Sequence, residues 1–160
     1  MKLIITCLLS ILFIKECKSN QLKNNADLEA TEMIESRESQ ELPIVSYTTT
    51  TRGFYERIWI ENDTIHVASD REETQIKSAL LDAEQQKALE TLMSKISMED
   101  LPEFEAPTDK RHGDAARMAS LTCTTESGTY TSQTFDHGQP PSQIEPLVNK
   151  LLSLRDMVKD

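Results

Sequence analysis

The chain has 160 residues, a formal net charge of −10 at pH 7, and 38% hydrophobic residues. So acidic a chain repels the phosphates of nucleic acids and of anionic lipid head groups, which argues against nucleic acid as a partner. It has four glycines, and none of them forms a phosphate-binding loop, a dinucleotide-binding motif or a serine nucleophile elbow.

The N-terminus has the pattern of an export signal. Lys2 is followed by an apolar stretch at residues 3–14, which is shorter than the roughly 20 apolar residues that span a bilayer. A charged start, a short apolar run and polar residues soon afterwards predict a signal peptide over residues 1–19.

Two kinds of processing fit the end of this signal. Cys17 stands just after the apolar run, as a lipid-modified cysteine does, and this position predicts a lipoprotein attached to the membrane only through its N-terminal lipid. Lys15 and Glu16 stand where a lipoprotein signal has small residues, so ordinary cleavage after Ser19 is the alternative. In either case we expect the protein in the cell envelope, membrane-anchored or periplasmic.

Residues 20–43 are predicted to form an acidic, flexible tether. Six acidic residues there stand against Lys23 and Arg37, and large apolar residues are few. Such a segment cannot bury enough surface to offset the entropy lost on ordering. About 140 residues remain after processing, enough for one domain, which we place at residues 44–160.

The first half of this domain has the pattern of a three-stranded antiparallel meander. Residues 44–51 are rich in β-branched side chains, Gly53 allows a turn, and residues 55–61 alternate between apolar and polar. An Asn-Asp pair then predicts a second turn, and residues 64–69 the third strand. Residues 70–78 are polar and are interpreted as a loop or a short edge strand.

Two helices and a second hairpin are predicted after the meander. Asp82 and Gln85 have the spacing of a capping box at the start of a helix over residues 83–96, and residues 97–112 are irregular. The hairpin follows at residues 116–135. The last helix begins near a pair of prolines and carries an apolar stripe. The stripe comprises Ile144, Leu147, Val148, Leu151, Leu152 and Val158.

The predicted fold is therefore α+β in the order βββ-α-ββ-α, an antiparallel sheet of about five strands with two helices packed on one face. Alternation in the second hairpin directs Ala119, Leu121 and Cys123 into the core. A thiol in that position is an inert hydrophobe rather than a nucleophile. We therefore expect a protein that is not an enzyme and needs no cofactor.

Only one polar cluster suggests chemistry. His112, Asp114, Asp136 and His137 flank the open end of the second hairpin, where they could converge on zinc or another divalent ion. Their spacing matches no metal motif, and Asp, His and Gly are also ordinary turn residues, so structural loop contacts are the favoured interpretation. A metal-dependent hydrolase is kept as the alternative function.

The first hairpin contains the residue types that dominate binding surfaces. Gly53, Phe54, Tyr55, Arg57 and Trp59 form the candidate interaction surface, since aromatic residues and arginine are enriched at binding hot spots. Two alternatives remain open for Trp59, the only tryptophan: it is exposed for binding, or it is covered by a helix or by residues 97–112.

Several short motifs also support a resemblance over roughly residues 44–155. They are Gly53-Phe54, Gly128-Thr129-Tyr130-Thr131-Ser132, Phe135-Asp136-His137-Gly138, Pro140-Pro141 and Pro146-Leu147-Val148. On these motifs the chain resembles small exported lipoproteins of unknown function and is distantly similar to emfourin-type inhibitors of thermolysin-like metalloproteases. It has Arg52 and Tyr55 where the inhibitors flank Phe54 with a second glycine and an alanine, so no functional residue is carried over.

The expected function is an exported, non-enzymatic protein-interaction domain of unknown ligand. The resemblance implies a specialised form, a protease inhibitor whose partner is an exported metalloprotease.

Overall fold

The computed structural model describes residues 43–113 and 115–159. The predicted signal peptide, the lipidation of Cys17 and the predicted tether as far as residue 42 lie outside the described residues. The described residues all belong to one compact unit.

Within the described residues, seven strands form one antiparallel sheet, and the predicted α+β class is confirmed. The strands are β1 (Ile44–Thr51), β2 (Phe54–Glu61), β3 (Thr64–Ala68), β4 (Ile76–Leu80), β5 (Met118–Thr125), β6 (Gly128–Thr131) and β7 (Phe135–Asp136). Their order across the sheet is β4-β3-β2-β1-β5-β6, with β7 paired to the start of β5. The sheet is wider than the five strands predicted, because β4 extends one side and β7 is a separate short strand.

The helical elements are two α-helices and two 3-10 helices. Helix α1 covers Ala83–Met93 and helix α2 covers Glu145–Lys159, while the 3-10 helices cover Met98–Glu103 and Lys110–Gly113. The first 3-10 helix falls within residues 97–112, the stretch that the sequence predicted to be irregular, and the second extends one residue beyond it.

Strand β1 lies at the centre of the sheet and decides which side chains meet in the core. Tyr47 pairs with Ile58 on β2 and with Leu121 on β5, and all three side chains are wholly buried. Because side chains alternate along a strand, the neighbours of these residues point to the opposite face. We name the buried side the inner face and the other side the outer face.

Turn chemistry at the hairpins follows from local sequence. Gly53 adopts a φ of 76° between β1 and β2, a conformation that costs glycine nothing. Asn62 and Asp63, between β2 and β3, both have positive φ. A two-residue hairpin turn requires positive φ at both positions, and asparagine and aspartate adopt it more readily than other non-glycine residues.

The start of helix α1 is confirmed in detail. The Asp82 side chain accepts a hydrogen bond from the Gln85 backbone N–H, and the Gln85 side chain accepts one from the backbone N–H of Asp82. The helix ends at Met93, three residues before the predicted end, where Ser94 takes over as the C-cap. Leu89 and Met93 are buried against the core.

Helix α2 places its apolar stripe in the same core. The buried residues of this segment are Ile144, Leu147, Val148, Leu151, Leu154 and Val158. The predicted stripe is correct except at one position, since Leu154 is buried and Leu152 only half-buried. The core cluster joins the inner face of the sheet to residues from both helices.

No helix among residues 43–113 and 115–159 combines the length and apolar character that a membrane span requires.

Candidate functional site

One end of the sheet brings three separate segments together. The β1–β2 turn lies there, and strand register places Thr50 opposite Tyr55 on β2 and opposite Met118 at the start of β5. Residues 69–75, the β3–β4 loop, lie at the same end because Arg57 pairs with Ala68.

An exposed aromatic ring marks this end. Phe54 is 37% exposed, and the Arg117 guanidinium lies over its ring, 4.6 Å from the centroid. Such a cation–π contact restrains both side chains while leaving the ring partly open to solvent. Met118, the residue after Arg117, is 39% exposed. The end of the sheet therefore presents two open apolar side chains, one of them in contact with a cation.

The β3–β4 loop is fixed against this end by hydrogen bonds. The Asp70 carboxylate accepts from the backbone N–H groups of Thr74 and Gln75, at 2.9 and 3.0 Å, which closes the loop on itself. Arg71 then reaches across to donate to the Thr50 hydroxyl at 2.6 Å, and its guanidinium lies 5.4 Å from the Tyr55 ring centroid.

Trp59 is buried, with 8% of its surface exposed, and the residues in contact with its ring belong to the outer face of the sheet. The His66 ring stacks on it with centroids 4.9 Å apart, and the Arg57 guanidinium lies 4.8 Å from its ring. Arg57 is itself held, since it donates to Ser46 and to Glu73 at 2.9 and 2.8 Å. Trp59 is thus enclosed by neighbouring strand residues.

The five residues of the predicted interaction surface therefore divide into two groups. Tyr55, Arg57 and Trp59 share the outer face and are engaged by neighbours within the molecule. Gly53 and Phe54 are exposed at the hairpin end. This second group is the more exposed of the two, and the Arg57 side chain keeps 32% of its surface open to solvent.

The second hairpin uses Asp136 as a structural anchor. Its carboxylate is wholly buried and accepts hydrogen bonds from the Thr108 hydroxyl at 2.6 Å and from the backbone N–H groups of Lys110 and Arg111 at 2.8 Å each. The Arg111 guanidinium adds a longer contact at 3.4 Å. The anion thus holds the 3-10 helix Lys110–Gly113 against β7.

These contacts also decide the charge of Asp136. Burial pushes its pKa up, but the hydrogen bonds from Thr108, Arg111 and Lys110 outweigh burial and hold the pKa at about 2, against an ordinary 3.8. The carboxylate is therefore ionised at any physiological pH, with its oxygens directed at protein donors.

The other predicted metal ligands do not converge with Asp136 on a common site. Nδ1 of His137 lies 2.7 Å from the Tyr47 hydroxyl, and His112 is exposed. Asp114 lies outside the described residues. In the part of the chain that the structure describes, no group of three or more His, Cys, Asp or Glu side chains is arranged to hold a metal ion.

Cys123 points into the core, as the strand alternation predicts. It is fully buried on β5, and burial raises the pKa of its thiol to about 12. A thiol with that pKa has almost no nucleophilic thiolate at neutral pH.

The sequence did not indicate that Arg71, Arg117 and Met118 belong to the exposed end. Nothing local distinguishes them, because residue 117 meets residue 54, and residue 71 meets residue 50, only through strand pairing. The half-exposed start of β5 next to the first hairpin would have been detectable only from the correct sheet order.

No protein-family model matches this chain, and no curated protein is significantly similar to it. Function is therefore inferred from the arrangement of side chains at the hairpin end.

Proposed function

We propose that the protein is an exported, non-enzymatic protein-binding domain that contacts its partner through the end of the sheet at the β1–β2 hairpin. We name this region the hairpin-end surface. It consists of Arg52, Gly53, Phe54, Arg71, Arg117 and Met118. The exposed Phe54 ring under the Arg117 guanidinium is the observation that carries the proposal.

The residue types of the hairpin-end surface, and the strands and loop that hold them in place, favour binding to a protein. An aromatic ring, a methionine and arginines are the side chains that contribute most at protein interfaces. Phe54 and Met118 stand on paired strands and Arg71 on a loop closed by Asp70, so little conformational freedom is lost when a partner binds.

Charge indicates what kind of partner fits. Arg52, Arg71 and Arg117 form no ion pair with a carboxylate in the described residues, although the chain as a whole carries a net charge of −10. Arg117 lies over the open Phe54 ring, and Arg52 and Arg71 belong to the same end of the sheet, so these guanidinium groups complement a partner with acidic groups beside an apolar pocket. Binding should then weaken as salt screens these charges.

The proposed partner is an exported metalloprotease, which the domain inhibits. This choice rests on the resemblance to emfourin-type inhibitors and on the predicted export signal. It requires no catalytic group in the domain itself, which agrees with the buried thiol of Cys123 and the anchored carboxylate of Asp136.

Inhibition assays test this proposal directly. Residues 40–160 are titrated against a panel of thermolysin-like proteases, and we expect saturable inhibition without cleavage of the domain. The variant Phe54→Ala should raise the inhibition constant at least about tenfold, which corresponds to about 1.4 kcal/mol. The matched control is Met157→Ala, which removes another exposed apolar side chain, from helix α2, and should change nothing.

Photo-crosslinking separates the binding surface from the identity of the partner. A photoreactive amino acid is placed at position 54 or at position 157, and the chain is expressed in its native envelope. Adducts with a discrete protein at 54 and none at 157 support the hairpin-end surface even when the protease panel is uninhibited. Failure of both the panel and the crosslink at 54 would refute the proposed function.

A further inference from the structure

Strand β4 is the terminal strand of the sheet. One of its edges is bonded to β3, and no strand among residues 43–113 and 115–159 pairs with the other. Natural proteins protect such edges, because unpaired N–H and C=O groups are a template for another strand.

The register shows which backbone groups face the open edge. The Leu81 N–H donates to the carbonyl of Asp63, the residue opposite it, at 2.9 Å. The backbone N–H and C=O of Leu81 therefore point toward β3. In an antiparallel pair, hydrogen-bonded and non-hydrogen-bonded positions alternate. Lys77 and Ala79 therefore also bond β3, and the N–H and C=O groups of Ile76, Ser78 and Leu80 point away from the sheet.

The side chains of Ile76, Ser78 and Leu80 share the outer face of the sheet and carry no charge. Ile76 is 46% exposed and Leu80 is 80% exposed, the largest exposed fraction among the large hydrophobic side chains of the described residues. Between them, the Ser78 hydroxyl bonds Nδ1 of His66 at 2.8 Å, which fixes the strand centre to β3. Neither a proline nor a charged side chain of β4 on this face blocks the approach of another strand.

We propose that this edge pairs with the same edge of a second copy of the chain. With antiparallel pairing centred on Ser78, Ile76 of each copy lies directly opposite Leu80 of the other. The residues whose backbone groups point outward then form three reciprocal hydrogen-bonded pairs. Both exposed apolar side chains gain an apolar cross-strand neighbour at about 5.5 Å between Cα atoms.

The symmetry of this pairing is compatible with the fold. Two identical antiparallel edge strands are related by a two-fold axis perpendicular to the sheet, so both copies keep their inner faces, with the helices, on the same side. The two sheets become one continuous sheet. The buried area is small, so we expect a reversible dimer with a dissociation constant on the order of micromolar.

Two single variants test the register as well as the dimer. Ile76→Lys sets a charge against Leu80 of the other copy, and Leu80→Glu sets one against Ile76. Each alone should weaken dimerisation at least about tenfold in sedimentation equilibrium of the full chain and of residues 40–160. Mixed in equal amounts, the two variants should form a heterodimer. In it the introduced lysine of one copy faces the introduced glutamate of the other, and the remaining Leu80–Ile76 pair is unchanged.

A control variant on helix α2 separates an effect on the β4 edge from a general effect of adding a charge. Met157→Lys alters an exposed apolar residue of helix α2 that is not part of β4 and should leave the dimer unchanged. Thermal unfolding of each variant verifies that it folds. A wild-type chain that stays monomeric at all concentrations overturns the proposal. A dimer that tolerates both variants, or a mixture that does not associate, overturns the Ser78-centred register. Phe54→Ala should dimerise like the wild type, so this test is independent of the hairpin-end surface.

Discussion

The Tyr47 hydroxyl lies 2.7 Å from Nδ1 of His137, which joins the central strand β1 to the segment that follows β7. Tyr47 is wholly buried, and burial raises the pKa of its hydroxyl above the ordinary 10.0. The hydroxyl therefore stays protonated at neutral pH and can donate to the imidazole. His137, predicted as a possible metal ligand, thus uses one ring nitrogen to stabilise the fold.

Replacing Tyr47 by phenylalanine tests this contact. Tyr47→Phe removes the hydroxyl that bonds His137, and we expect a loss of about 1–2 kcal/mol in the free energy of unfolding at pH 7. Urea unfolding measures the loss. Because the folded pKa of Tyr47 is raised, its contribution is full below pH 10.0 and is lost as the pH rises above that value. The wild-type excess over Tyr47→Phe should therefore shrink in that alkaline range. Equal stability of the two proteins at pH 7 would contradict a stabilising contact.

Asp136 should make stability depend on acid. Its pKa is lowered from 3.8 to about 2, so its contribution is full above pH 3.8 and is lost as the pH falls toward 2. Asp136→Asn presents an amide N–H₂ to donors that need an acceptor, and should lower the Tm by at least about 5 °C at pH 7. The difference from the wild type should narrow below pH 3.8. Asp109→Asn, an exposed neighbour, is the control and should have little effect.

Two neighbouring leucines of helix α2 should differ in their contribution to stability. Leu154 is 1% exposed, and Leu154→Ala should lower the free energy of unfolding by about 2–5 kcal/mol, because it leaves a cavity in the core. Leu152 packs at the edge of the core, so Leu152→Ala should cost clearly less. Chemical denaturation of both variants makes the comparison. A larger loss of unfolding free energy for Leu152→Ala would mean that Leu152, and not Leu154, faces the core.

Cys123 gives a direct probe of the core. In residues 40–160 it is the only cysteine, so a thiol reagent reports on it alone. Burial and a pKa of about 12 predict that the native protein reacts with Ellman's reagent only as fast as it opens, while the urea-unfolded protein reacts at once. Rapid modification of the native chain would mean that β5 does not face the core.

Much of the fold follows from local pattern. The capping box at Asp82 was predictable because both partners lie within four residues, and the alternation that buries Leu121 and Cys123 is a property of a single strand. Glu56 is different: its position on β2 faces the core, and a buried carboxylate there is tolerable because Arg155 of α2 pairs with it at 3.1 Å. That partner lies 99 residues away, so no window of sequence contains both groups.

The sequence by itself determined the antiparallel α+β class and the inward direction of the core residues, because side-chain period and turn chemistry act over a few residues. Only the tertiary structure decided what lies open. Trp59 is enclosed by Arg57 and His66, whereas Phe54 and the edge of β4 remain exposed. Exposure depends on which distant strands become neighbours, and that is settled by the packing of the whole sheet rather than by any segment of it.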